Sequence, residues 1–201
     1  MPPSTPFRSP ADYFERLDRP SLAVGGVAVA AQSILVAAVI WWFMQGVLAR
    51  LDAPPAARAK IESAVSGVIA LTFVSVLVGW LLYAGVFHLF LWFADAERGF
   101  TTTLAVIGES ELVSLLLLPA SVLGFHLLLG QVPSDPQAAV DFFNRAAAFG
   151  SPVLLLVSLV GTVWKALIQS AGLAVVHDVA AEKTFLLAFA FGGAGFLLNL
   201  L

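Results

Sequence analysis

Glu109, Glu111 and Lys165 are the residues whose chemistry is out of place in this chain, because each lies within an apolar run long enough to cross a bilayer. An ionisable group there costs about 2.5–3.5 kcal/mol on the insertion scale, so each needs a partner or a task. Two carboxylates close together would suit acid–base work, and a carboxylate with a lysine would suit either an ion pair or a proton relay. Positions 109 and 111 differ by about 200° around a helix, so the two carboxylates cannot share a face and are not a catalytic pair. Glu111 instead falls near Ser110, Ser114 and Ser121, a polar stripe on its helix. A second stripe, Ser158, Gly161, Thr162, Lys165, Gln169 and Gly172, recurs at spacings of three and four. Small and polar residues in such rows let membrane helices approach and hydrogen-bond, so the two faces are expected to pack together.

Pro119 adds a second attraction for the lysine. It has no N–H, which leaves the Leu115 carbonyl without its helical partner. Leu115 is twelve residues from Thr103, and Lys165 is twelve from His177, so both lie about 18 Å from one end of their helices at ~1.5 Å per residue. Lys165 is expected to bond either that carbonyl or Glu111, a turn shallower. The candidate site is therefore an intramembrane polar cluster of Glu109, Glu111, Ser114, Pro119, Lys165 and Gln169.

Other chemistries find little support. No cysteine is present, which removes disulfides, thiolate nucleophiles and Cys-ligated metals. His88, His126 and His177 stand on different segments with no acidic or histidine partner a helical turn away, which points to helix contacts and no metal site. GxSxG and HExxH patterns are absent, and no cofactor is implied. Ten scattered Lys and Arg, seven of them arginine, with a net charge of −3, form no stripe for nucleic acid. Gly192, Gly193 and Gly195 suit a packing face better than a phosphate loop, since no strand precedes them.

The elements that carry these residues follow from where charge is missing. Hydrophobic residues make up 60% of the 201 residues and charged ones only 11%, against about 25% charged in a soluble domain. Mean hydropathy is +0.94. Such a chain must meet lipid, and the ~10-residue alternating segments of a barrel are absent. The expectation is an all-α polytopic membrane protein with five spans, about 22–48, 63–94, 103–129, 152–176 and 184–201, forming one membrane domain (21–201) after a short N-terminal arm (1–20). The arm has Asp12, Glu15 and Asp18 and no apolar core, so it does not read as a cleavable signal, and the first span serves for insertion.

Local signals refine the elements. Trp41, Trp42 and Phe43 suit an interfacial belt. The second helix is expected to start near Pro55, to stop with Gly99 as its C′ glycine, and to bend at Gly79 or Gly85 if it is continuous. Ser151–Pro152 predicts an N-cap and first turn. Short interfacial helices are expected over 135–149 and 11–17. No internal repeat of the kind found in many secondary transporters is visible. Five cations (Arg8, Arg16, Arg19, Arg98, Lys183) on the N-terminal side against four (Arg50, Arg58, Lys60, Arg145) favour a cytoplasmic N-terminus in the cell membrane.

From Gly85 to Thr184 the chain resembles the Yip (Ypt/Rab-interacting) family of integral membrane proteins. A helix ending in aromatic residues is followed by a glycine, Phe100 and Thr101–Thr103, then Pro119; farther on come Trp164, Leu167, Gly172–Leu173, His177 and Glu182–Lys183. The chain departs from the pattern at Ala96-Glu97-Arg98-Gly99, where a glycine-rich turn is common, and at Glu109, where an aromatic residue is usual. The resemblance implies five membrane helices, a cytoplasmic N-terminus and no enzymatic activity. Eukaryotic relatives bind Rab-type GTPases and shape vesicle membranes. The alanine-rich, arginine-over-lysine usage fits a short prokaryotic-type member, for which Rab partners would not apply. The expected function is membrane organisation or partner binding, with lipid and a second copy or another protein as partners. The competing reading is a small transporter or channel with a polar path at Glu111 and Lys165.

Overall fold

In a computed structural model, the structure describes residues 5–17, 19–94, 99–149 and 151–198, with backbone alone for 145–149 and 198. All regular elements among these residues are helices. Ser21 starts the first long one, α2 (Leu22–Arg50), by accepting a hydrogen bond from the Val24 N–H at 3.3 Å. It stops where Leu51–Pro54 turns extended before two prolines, and Arg50 donates to the Leu129 carbonyl at 2.6 Å. α3 (Pro55–Trp92) begins with proline in its first turn, as expected. A short α1 (Pro10–Glu15) precedes both.

The third apolar run is two helices, α4 (Phe100–Ser110) and α5 (Leu112–Leu129), and Glu111 is the joint. The Ser110 hydroxyl takes the Ile107 carbonyl at 2.7 Å, and the Glu111 N–H turns to the Gly108 carbonyl at 3.1 Å. That local exchange tightens the turn and interrupts the helix well before Pro119. Then come α6 (Pro136–Phe149), α7 (Pro152–His177) and α8 (Ala181–Leu198).

Several expectations need correction. Gly99 is the N-cap of α4 with φ −75°, not the left-handed end of the preceding helix, which stops at Trp92. α3 is unbroken through Gly79 and Gly85: its 38 residues would measure about 57 Å at ~1.5 Å per residue, longer than the ~30 Å hydrocarbon core. Ser151 stands at the N-cap of α7, but its hydroxyl makes no capping bond. Trp41 and Trp42 are exposed as an aromatic belt requires, whereas Phe43 turns inward. Gly192 meets Thr162 on α7, while Gly193 faces open space. Ala96, Glu97, Arg98 and Leu201 lie outside the described residues.

Among the described residues, four helices are long and apolar enough to cross a membrane: Leu22–Arg50, Pro55–Trp92, Phe100–Leu129 taken across its joint, and Pro152–His177. The core has two halves. One, at the end carrying the N-terminus, gathers Phe14, Phe87, Leu91, Val106, Ile107, Ile168 and Leu173 from α1, α3, α4 and α7. The other gathers Phe43, Val47, Leu48, Leu128 and Leu129 under α6, whose Phe143 packs edge-on to Phe43 at 6.2 Å. A helix is thus present over most of the expected 135–149 segment, and it packs on that end of the core. The N-terminal arm packs onto the bundle: Phe14 is 1% exposed, wedged against Gly172 and Val106.

The closest approach in the fold is α2 on α4. A Cβ at Gly108 would lie 2.8 Å from the Gly25 backbone, and one at Gly25 would lie 2.8 Å from the Ala105 carbonyl oxygen. Only glycine fits on either side of this crossing. Gly108→Val should therefore lower the unfolding temperature in detergent, with a loss of about 1–3 kcal/mol or more from overpacking. Gly67→Ala, at a site with nothing within 4 Å, should leave it unchanged or slightly raised.

Candidate intramembrane polar site

The two carboxylates lie in separate environments, as their angular separation around a helix requires. Glu109, on the last turn of α4, is 0% exposed. It accepts the Tyr13 hydroxyl at 2.8 Å and the Ser21 N–H at 3.2 Å. One carboxylate thus ties α1 to the start of α2 through α4. Tyr13 lies outside the spans, and burial first, then the bond and charge of Glu109, hold its phenol above the ordinary tyrosine value, so it stays a donor.

Glu111 faces α7. Lys165 reaches its two carboxylate oxygens at 3.1 and 3.4 Å, and Ser114 donates to it at 3.0 Å. The ion pair is partly open, with side-chain exposures of 27% and 16%. The bonds made by the Lys165 ammonium go to Glu111; Pro119 is exposed farther along α5, away from the other polar residues. A turn toward the N-terminal end, Gln169 donates to Ser110 at 2.9 Å and accepts the Tyr83 hydroxyl at 3.3 Å. Gly161 comes close to Leu117 at the same α5–α7 seam. The structure therefore brings together Glu111, Ser114, Lys165 and Gln169, and sets Glu109 and Pro119 apart from them.

A further polar group was not apparent from spacing along the chain. Thr103 on α4 lies between two imidazoles, 3.1 Å from His88 Nδ1 and 2.9 Å from His177 Nε2. A hydroxyl has one proton and two lone pairs, so Thr103 can bridge both rings, with the roles set by the imidazole tautomers. Three elements are joined, and no pairwise spacing within one helix encodes it. Among the described residues no three His, Cys, Asp or Glu side chains converge to hold a metal. His126 stacks on Trp42 at 6.4 Å.

Two cavities flank the ion pair. One, about 350 Å³, lies among α2, α3, α7 and α8; the other, about 320 Å³, continues along α5 and α7. Gln32, Thr162 and Lys165 line both.

Apolar helices joined by buried polar pairs define a multi-pass helical membrane protein. Within that class, the model of the Yip1 domain matches residues 6–201, and the chain belongs to that family. The match extends the likeness seen over Gly85–Thr184 to almost the whole chain, arm included. Proteins of this family are not known as enzymes. No curated protein and no solved structure shows significant similarity.

Lys165→Met should strand Glu111 and destabilise the protein by at least about 1–2 kcal/mol. Glu111→Leu combined with Lys165→Met should recover most of that loss, because the cost lies in the charge left without its partner. Thermal unfolding of the purified single and double variants in one detergent checks both.

Proposed function

We propose that the protein is a non-enzymatic membrane organiser of the Yip type, acting through a second copy or another protein. The observation that supports this most is the way several polar groups in the spans pair between helices. Glu111 goes to Lys165, Gln169 to Ser110 and Tyr83, and Thr103 to His88 and His177. These pairs act as interhelical ties. The polar cluster is thus structural in this reading, and a substitution in it changes folding before it changes activity.

The outer face is where partners are met. The apolar window of α3 is only 6% buried within the bundle, leaving a long helix side for lipid or for a partner. α8 is the fifth span: Glu182 and Lys183 lie at the level of the α7 end, and the apolar stretch that follows packs back along α7 through Gly192. With five crossings and five cations against four, the N-terminus faces the cytoplasm and the protein resides in the cell membrane.

Native mass measurement or cross-linking in the membrane should show a dimer or a co-purifying protein. A strict monomer with no partner overturns the reading. Because the chain has no cysteine, Thr5→Cys and Ala56→Cys each give one thiol without background. Thr5→Cys should react with an impermeant maleimide only from the cytoplasmic side, and Ala56→Cys only from the other. A transporter would instead show altered flux in folded Lys165→Met protein.

A further inference from the structure

The cavity of about 350 Å³ is not explained by helix packing. Its polar floor carries Glu111 and Lys165, and with them Gln32, whose amide oxygen is buried without a hydrogen-bond partner. A buried acceptor left unpaired costs roughly 1–3 kcal/mol, so a donor supplied from outside would be favoured there. Gln32 lies ten residues into α2 and Lys165 twelve from the end of α7, which puts both about 15–18 Å deep at ~1.5 Å per residue. At that depth the surroundings are hydrocarbon, and a visitor must come from the bilayer.

Small residues form the way in. Ser75 and Gly79 of α3 line the cavity and are exposed on the outside of the bundle, and a Cβ at Gly79 would touch nothing. Trp80, Tyr83 and Phe191 form aromatic walls behind them.

We infer that this cavity binds a neutral, small-headed lipid of the acylglycerol class, entering sideways past Ser75 and Gly79. The lining decides the head. Glu111 and Lys165 cancel each other's charge at 3.1 Å, so a charged phosphate or ammonium head would be buried without compensation. The head must donate to the Gln32 oxygen and accept from a Lys165 N–H not aimed at Glu111. A hydroxyl beside an ester carbonyl does both. A volume of about 350 Å³ is at the low end of ligand pockets, which suits a glycerol head and its first carbons while the acyl tails stay in the bilayer.

The test uses the full-length protein in phosphatidylcholine vesicles containing a photoreactive diacylglycerol, with photoreactive phosphatidylcholine and photoreactive fatty acid in parallel. The diacylglycerol should label peptides around Gly79 and Gly192, and unlabelled diolein but not added phosphatidylcholine should compete. Gln32→Leu should cut labelling about five- to tenfold, the worth of one hydrogen bond. Gly79→Leu, on the outer face where folding does not require glycine, should block entry and cut it similarly. Equal labelling by all three probes, stronger labelling by the fatty acid, or labelling indifferent to both substitutions in folded protein would overturn the assignment. Dimer formation would be untouched by that result, so the two readings fail separately.

Discussion

Gly25 and Gly108 let two backbones touch, and the N-terminal half of the bundle is arranged around that contact. A Cβ on either would sit 2.8 Å from the opposing main chain, so α2 and α4 lie closer than side chains at the crossing would permit. One turn before Gly25, the free N–H of Ser21 then comes within reach of Glu109, the residue next to Gly108. A carboxylate this deeply buried is tolerable only because the crossing delivers a backbone donor to one oxygen and Tyr13 caps the other. With side chains at the crossing, Glu109 would lose the first of these and Tyr13 its reason to dock.

The same economy runs through the other polar residues. A polar group is too costly to leave alone in hydrocarbon, and Glu111, Gln169 and Thr103 each meet a partner on another helix, while Gln32 keeps an unpaired oxygen. Ser110 has a double role: it accepts from Gln169, and its own proton goes to the Ile107 carbonyl, which opens the helix at Glu111. About 200° apart around the helix, Glu111 faces α7 while Glu109 faces α1. Two carboxylates two residues apart can thereby serve two different seams.

Much of this was legible before any coordinates. Gaps in charge place the long helices, since lipid excludes unpaired charge regardless of neighbours. Counting residues from a shared membrane face brings Glu111 and Lys165 to nearly the same level, and the structure sets them 3.1 Å apart. What stayed hidden depends on contacts between distant segments. The fold-back of Tyr13 and Phe14 needs the recess made by Gly172 and Val106, and neither position announces it. Thr103 between His88 and His177 joins three segments, and helical periodicity speaks only for one segment at a time. Gly99 starts α4 where the sequence suggests the stop of the helix before it, because glycine suits either end of a helix.

The arm also has an order in time. Trp164 donates to the Phe7 carbonyl at 3.1 Å across 157 residues of chain, and the recess for Phe14 includes Gly172. Since the N-terminus is made first, Tyr13 can meet Glu109 once α4 is in place, but the arm cannot complete its closure until α7 has been synthesised and inserted. Until then Phe7 lacks the Trp164 donor and Phe14 one wall of its recess. Their disappearance into the bundle is a seal that forms only when assembly of the membrane part has reached its fourth long apolar segment.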